Sequence, residues 1–291
     1  MSTRTLFHRS PRARRAVPRR ARAGVRGGRA GMGGRGLAWL ARAGLIARGA
    51  MYVLIGIIAV QVAIDGSRQQ ADRTGAVHLV AQTAFGSVIL WLLVIGFAGM
   101  TLWRLSEAAW GSPGADGRKA SKRLANLARA VFYAVVTYGI LKYALGIGQP
   151  SSSDSQSQDL TAAAMKYQGG QVIVALAGVV VVIAGLYVMY RAYKLKFLKH
   201  LRLGSASPRT RKVVTRLGQV GGIARGLVFA TIGVFLVIAA KDASPRQAKG
   251  VDSALRALAH TPLGPWLLVV VAIGLMMFGA YSWCEARWRA V

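Results

Sequence analysis

The sequence is poor in acid, histidine and cysteine. Of its 291 residues nine are Asp or Glu and four are His, against 39 Lys and Arg, a formal charge of +30. The single cysteine, Cys284, excludes an intramolecular disulfide and supplies no metal cluster. His78 and His260 do not fall at matching positions of the internal repeats described below, so no metal site is expected. There is no H-E-x-x-H, no P-loop and no catalytic-triad order, so neither a catalytic nor a cofactor-binding site is expected, and the sequence does not read as an enzyme. What remains abundant is apolar. A hydrophobic share of 54% beside this charge points to membrane spans separated by basic loops.

Residues 1–36 form an arginine-rich tail with eleven arginines and no lysine, a composition expected to be disordered. Gly31, Gly33 and Gly36 have G-x-G-x-x-G spacing, but no strand precedes them, so they do not form a dinucleotide site. The arginines lack interleaved aromatics, so nucleic acid is not expected as a partner. Anionic lipid headgroups on the cytoplasmic side are.

Six spans follow, at roughly 44–64, 86–106, 126–146, 170–191, 223–241 and 265–284, each near the ~20 residues a crossing helix needs. The odd spans share one register: Arg48, Gly49, Tyr52, Gly56, Ala63, then Arg129, Ala130, Tyr133, Thr137, Ala144, then Arg225, Gly226, Phe229, Gly233, Ala240. At 100° per residue these positions gather on one helix face. The even spans repeat as well. Aligning Gly86, Gly170 and Gly264 puts Trp103, Tyr187 and Tyr281 in one column, and Glu107, Arg191 and Glu285 in another. The unit is a helix pair present three times, giving a tail (1–36), repeat 1 (37–110), repeat 2 (111–193), a basic loop (194–216) and repeat 3 (217–291). With two crossings per unit the copies point the same way, as parallel repeats about an axis along the membrane normal. Lys and Arg number 31 on the tail's side and 8 on the other, which predicts cytoplasmic N and C termini. The expected fold is all-α: a six-transmembrane helical bundle built from three tandem parallel two-helix repeats with short outer amphipathic helices.

Those outer helices are read from Val251, Ala254, Leu255 and Leu258, from Leu160, Ala163, Ala164 and Tyr167, and more weakly from Ala76, Val77 and Val80, with Asp72, Asp159 and Asp252 near their starts as caps. The Ser151–Ser157 run reads as flexible filler, and Pro113 and Pro208 as breakers in inner loops. Trp103, Tyr187 and Tyr281 read as an interfacial aromatic belt. Gly49, Gly56 and Ala63 lie seven apart, as do Ala130, Thr137, Ala144 and Gly226, Gly233, Ala240, which predicts a small-residue seam for close helix packing. Arg48, Arg129 and Arg225 lie near the level of Glu107, Glu285 and Arg191, so ion pairs or lipid headgroup contacts are expected there.

The stretch R-G-x-x-Y-x-x-x-G at Arg48 to Gly56, the F-G opening at Phe85 and Gly86, and the three in-register copies resemble the bacterial membrane proteins called domain of unknown function 1206. The likeness covers Leu40 to Trp288; the second copy departs from it at Ala130 and Thr137. The resemblance implies a three-repeat, six-span fold of the bacterial plasma membrane and brings no activity with it. The reading that follows is a non-enzymatic structural, partner- or lipid-binding helical bundle. The alternative, a small transporter or channel with a site near the pseudo-threefold axis, requires ionisable side chains facing a central cavity, and mid-membrane charge is missing.

Overall fold

The computed structural model describes residues 32–66, 68–111, 119–149, 151–204, 206–262 and 264–289. Among them are nine α-helices and no β-strand: α1 (Met32–Asp65), α2 (Arg73–Ala81), α3 (Gly86–Trp110), α4 (Ala120–Ala144), α5 (Ser153–Met165), α6 (Gly170–Tyr193), α7 (Pro208–Lys241), α8 (Val251–Ala259) and α9 (Gly264–Trp288). Six of these, α1, α3, α4, α6, α7 and α9, are long and apolar enough to cross a membrane, and the chain has the build of a multi-pass membrane protein. The expected tail lies outside the described residues except for its last five, which already belong to α1.

The spans run further than hydropathy alone suggests. α7 begins inside the stretch expected to be a loop, because Ser207 caps it: the Ser207 hydroxyl accepts a hydrogen bond from the Thr210 N–H at 3.2 Å. Pro208 occupies the first helical position, where its missing N–H is not needed, so it starts a helix instead of breaking one. At 34 residues each, α1 and α7 extend about 51 Å at 1.5 Å per residue, well beyond a ~30 Å hydrocarbon core.

The spans pack in the order α4–α3–α1–α9–α7–α6. Three junctions join neighbouring repeats (α3–α4, α9–α1, α6–α7) and two join helices of one repeat (α1–α3, α7–α9). The corresponding junction in repeat 2, α4–α6, is missing, so the arc of helices is open there. Residue size explains the two junctions within repeats and two of the three between them; α3–α4 packs without a glycine contact. Between repeats, a Cβ at Gly49 would lie 2.8 Å from the Gly279 oxygen, one at Gly56 2.8 Å from the Ala272 oxygen, and one at Gly185 2.6 Å from the Ala230 nitrogen. Gly226 and Gly233 meet Gly185 and Gly178 in the same way. These helices touch backbone to backbone, which only glycine permits.

Ala63 and Ala144 are half-buried and Ala240 is buried, while Ala130 is fully buried on α4. Thr137 is half-buried and bonds back to the Tyr133 carbonyl at 2.7 Å. Within a repeat a different contact governs. A Cβ at Gly96 would lie 2.6 Å from the Cβ of Ala47, and one at Gly274 2.4 Å from that of Ala224. In α6 the matching residue is Val180, which is 63% exposed, and its expected partner Ala128 on α4 is exposed too. A valine cannot make the approach that glycine makes.

Apolar side chains fill the interior. Ile55, Ile58, Leu93, Phe97, Tyr133, Val136, Val228, Leu268 and Leu275 belong to one buried cluster, roofed by Val77 and Val80 of α2 and Leu255 and Leu258 of α8. Three expectations need correction. On α5 the apolar stripe is not buried: Leu160 and Tyr167 are exposed and Thr161 is the buried residue, because α5 has no closed helix pair beneath it. The serine run is no filler; Ser152 caps α5 and Ser153 begins it. Trp103 and Tyr281 are 4% and 6% exposed, so they form no belt; only Tyr187, at 56%, lies outside, on the open face of α6.

Candidate functional site

Two rings of polar residues lie at opposite ends of the bundle. The first, the cap, is made by α2, α5 and α8. Asp72 is fully buried and accepts from Thr74 N–H at 2.8 Å and Gly75 N–H at 3.1 Å on its own helix, and from the Ser153 N–H at 2.7 Å and hydroxyl at 2.8 Å in repeat 2. Asp154 accepts from the Gly250 N–H and the Ser253 hydroxyl of repeat 3, both at 2.6 Å. Asp252 accepts from the Ala71 N–H of repeat 1 at 2.7 Å. Each repeat therefore grips the next, and the third grips the first. Asp72 caps α2 as its position implies, whereas Asp159 lies midway along α5, exposed, and Asp252 is the second residue of α8, whose N-cap is Gly250, so neither is a cap. Burial pushes the Asp252 carboxyl above its ordinary value, while the Ala71 N–H and Arg256 pull the other way.

The second ring, the collar, lies at the opposite end, where the start of α1 runs beside the end of α9. Arg48 is buried and its guanidinium reaches Glu285 at 2.5 Å and the Ser282 hydroxyl at 3.2 Å. Glu285 also pairs with Arg289. This is the expected arginine–glutamate contact, made between repeats 1 and 3. The same relation fails in the other two places. Glu107 takes Arg104 of its own helix at 2.7 Å, and Arg129, exposed on α4, bonds to Asn126 at 3.0 Å. For Arg225 the matching position of repeat 2 is Arg191 instead of a carboxylate, and its guanidinium lies over the rings of Phe278, Phe229 and Tyr52, at 4.9, 5.0 and 5.8 Å. Its buried Nε has no hydrogen-bond partner. Arg191 lies 5.9 Å over Tyr187.

The six arginines 48, 104, 129, 191, 225 and 289 form one connected group, in which Arg129 is within electrostatic range of Arg191, Arg225 and Glu107. Glu107 and Glu285 are the only glutamates in the chain, and both are here. Positive charge exceeds negative in the collar, and the excess lies on the side of repeat 2. Arg104, Arg289 and Ser282 carried no repeat signal in the sequence. Asp154 was missed as well, lying in the serine run read as filler; in the structure Asp154 and Asp252 are each the second residue of an outer helix. Among the described residues no group of three His, Cys, Asp or Glu comes together; His78 packs on Tyr143, whose hydroxyl lies 3.2 Å from its Nδ1.

The family model described as Domain of Unknown Function (DUF1206) matches residues 43–111, 124–194 and 220–289, one match for each helix pair. The chain belongs to this family. Matching all three repeats in series, it is a three-repeat DUF1206 protein, consistent with the packing order above. It is similar to a Bacillus subtilis (strain 168) protein named "Uncharacterized protein YxxB", with 27% identity over 243 residues, covering 83% of this chain and 87% of that one. No solved structure matches the chain.

Proposed function

We propose that this DUF1206 protein is a non-enzymatic bundle of the bacterial plasma membrane, with both termini in the cytoplasm, that works by holding anionic lipid headgroups or a protein partner at its collar. The observation that carries this reading is the arginine excess around two glutamates at the end nearest the chain termini. Buried or half-buried guanidinium groups without carboxylates need phosphate or similar anions to complete their hydrogen bonding. The positive-inside count puts that end on the cytoplasmic side, where anionic lipid is concentrated. The apolar filling of the interior supports a packing role over a pore along the axis, since a permeation path needs polar lining. A pocket of about 300 Å³ lies in the cap, lined by Gln70, His78 and Gln82 of repeat 1.

The test is thermal unfolding in nanodiscs of phosphatidylcholine alone and of phosphatidylcholine with phosphatidylglycerol. A melting temperature several degrees higher in the anionic discs is expected. Equal melting in both, at low salt, would overturn the reading.

A further inference from the structure

Repeat 2 departs from its neighbours in two ways at once, and the two departures meet. The helices of repeats 1 and 3 close on themselves through Gly96 on Ala47 and Gly274 on Ala224, whereas Val180 and Ala128 leave α4 and α6 apart. The faces left open are apolar: Ala128, Phe132 and Val135 on α4, and Leu176, Val180 and Ile183 on α6, are all exposed. At the collar end of this cleft the chain replaces the glutamate of the other repeats with Arg191. Arg129 and Arg225 lie within electrostatic range of each other there, and Arg129 within range of Arg191. None of the three has a carboxylate partner among the described residues. Arg225 also buries an unpartnered Nε.

We propose that the α4–α6 cleft is a binding site for one anionic phospholipid, its phosphate held by Arg129, Arg191 and Arg225 and an acyl chain laid between α4 and α6. This rests on the lipid-binding reading above and assigns it a place. The chemistry fits on both counts. An apolar slot open to the bilayer accepts a hydrocarbon chain, and three arginines at its end, with Arg129 in range of both Arg191 and Arg225, match the negative charge and bidentate oxygens of a phosphodiester. A zwitterionic lipid brings a positive group that the same arginines repel. A second copy of the chain would fill the slot with apolar residues but would bring to this end another surplus of arginines.

Two substitutions separate this site from general headgroup attraction. Arg191→Glu restores the glutamate column and gives Arg225 the partner that Arg48 has in Glu285, so the variant should fold at least as well in detergent. Val180→Trp narrows the slot without touching charge. Native mass spectrometry of the full chain, released from micelles containing equal phosphatidylglycerol and phosphatidylcholine, reads retained lipid and stoichiometry together. The wild type should carry one phosphatidylglycerol in preference to phosphatidylcholine, and each variant should lose that adduct about tenfold. Retention of phosphatidylglycerol by both variants would overturn the cleft assignment while leaving the proposed function standing. A wild type with no phosphatidylglycerol preference would overturn both. A lipid-free dimer in the wild type that Val180→Trp dissociates would replace the lipid with a second copy of the chain.

Discussion

The cap and the collar are built from the same three repeats, yet one closes its circuit and the other does not. In the cap, Asp72, Asp154 and Asp252 each bond to the following repeat, and the circle is complete although the sequences around them differ. In the collar the arginine column is intact, but Glu107 is taken by Arg104 of its own helix and repeat 2 carries Arg191 in the glutamate column, so among the described residues only Arg48–Glu285 forms between repeats. A carboxylate accepting from backbone N–H groups needs a helix start in the right place. A guanidinium needs a particular residue on the neighbouring helix. The first requirement tolerates sequence drift. The second is lost with one change, as at Arg191.

The comparison can be broken from either side, and the largest effect is expected where backbones touch. Gly185→Leu would put side-chain atoms into the Ala230 and Gly226 backbone, and a loss of about 3 kcal/mol or more is expected, read as lower unfolding temperature in detergent. Thr101→Leu, where α3 carries threonine in the same column, should cost far less. In the collar, Glu285→Gln strands Arg48 in a buried position and should cost about 3 kcal/mol. Glu107→Gln, whose partner is on its own helix, should cost less, which the same melts would rank. In the cap, Asp72→Ala removes the acceptor for four donors and should cost about 2 kcal/mol, with faster hydrogen exchange at Ser153, Thr74 and Gly75. Asp159→Ala should leave melting unchanged.

The smallest effect concerns pH. Because the folded Asp252 carboxyl titrates above its ordinary value, the folded state binds its proton more tightly than the unfolded chain does. Its contribution is greatest below the unfolded value and declines as pH rises through the folded one. Asp252→Asn retains an acceptor for Ala71 N–H, so it should flatten this part of the melting-temperature profile above about pH 4. A decline of equal slope in the variant would assign the pH dependence to another group.

Much of the fold was legible because it is periodic. Arg48, Arg129 and Arg225 mark three odd helices, and Gly86, Gly170 and Gly264 mark the start of three even ones, as the structure has them. The sequence could not say which helices the glycines join, since periodicity describes a face and not its partner. Gly49 and Gly56 pack on α9, the last helix, not on their own repeat. The break at Val180 was equally hidden: a valine in a membrane helix is unremarkable until Gly96 and Gly274 are seen against alanine. The arginine–glutamate level was readable from charge, but Arg104 taking Glu107 was not, because an i,i+3 partner competes with any more distant one. The serine run misled because its composition suits a loop, whereas Ser152 supplies a cap and Ser153 a ligand for Asp72.

The bond from Asp252 back to the Ala71 N–H sets an order for biogenesis. The acceptor is made some 180 residues after the donor, so a nascent chain that has inserted its first four spans holds an unfinished ring, with Ala71, α2 and Asp154 all waiting. Completion comes only when the last hairpin is threaded. A chain stopped short of α8 would lack the partners that Ala71 and Asp154 have in the finished ring.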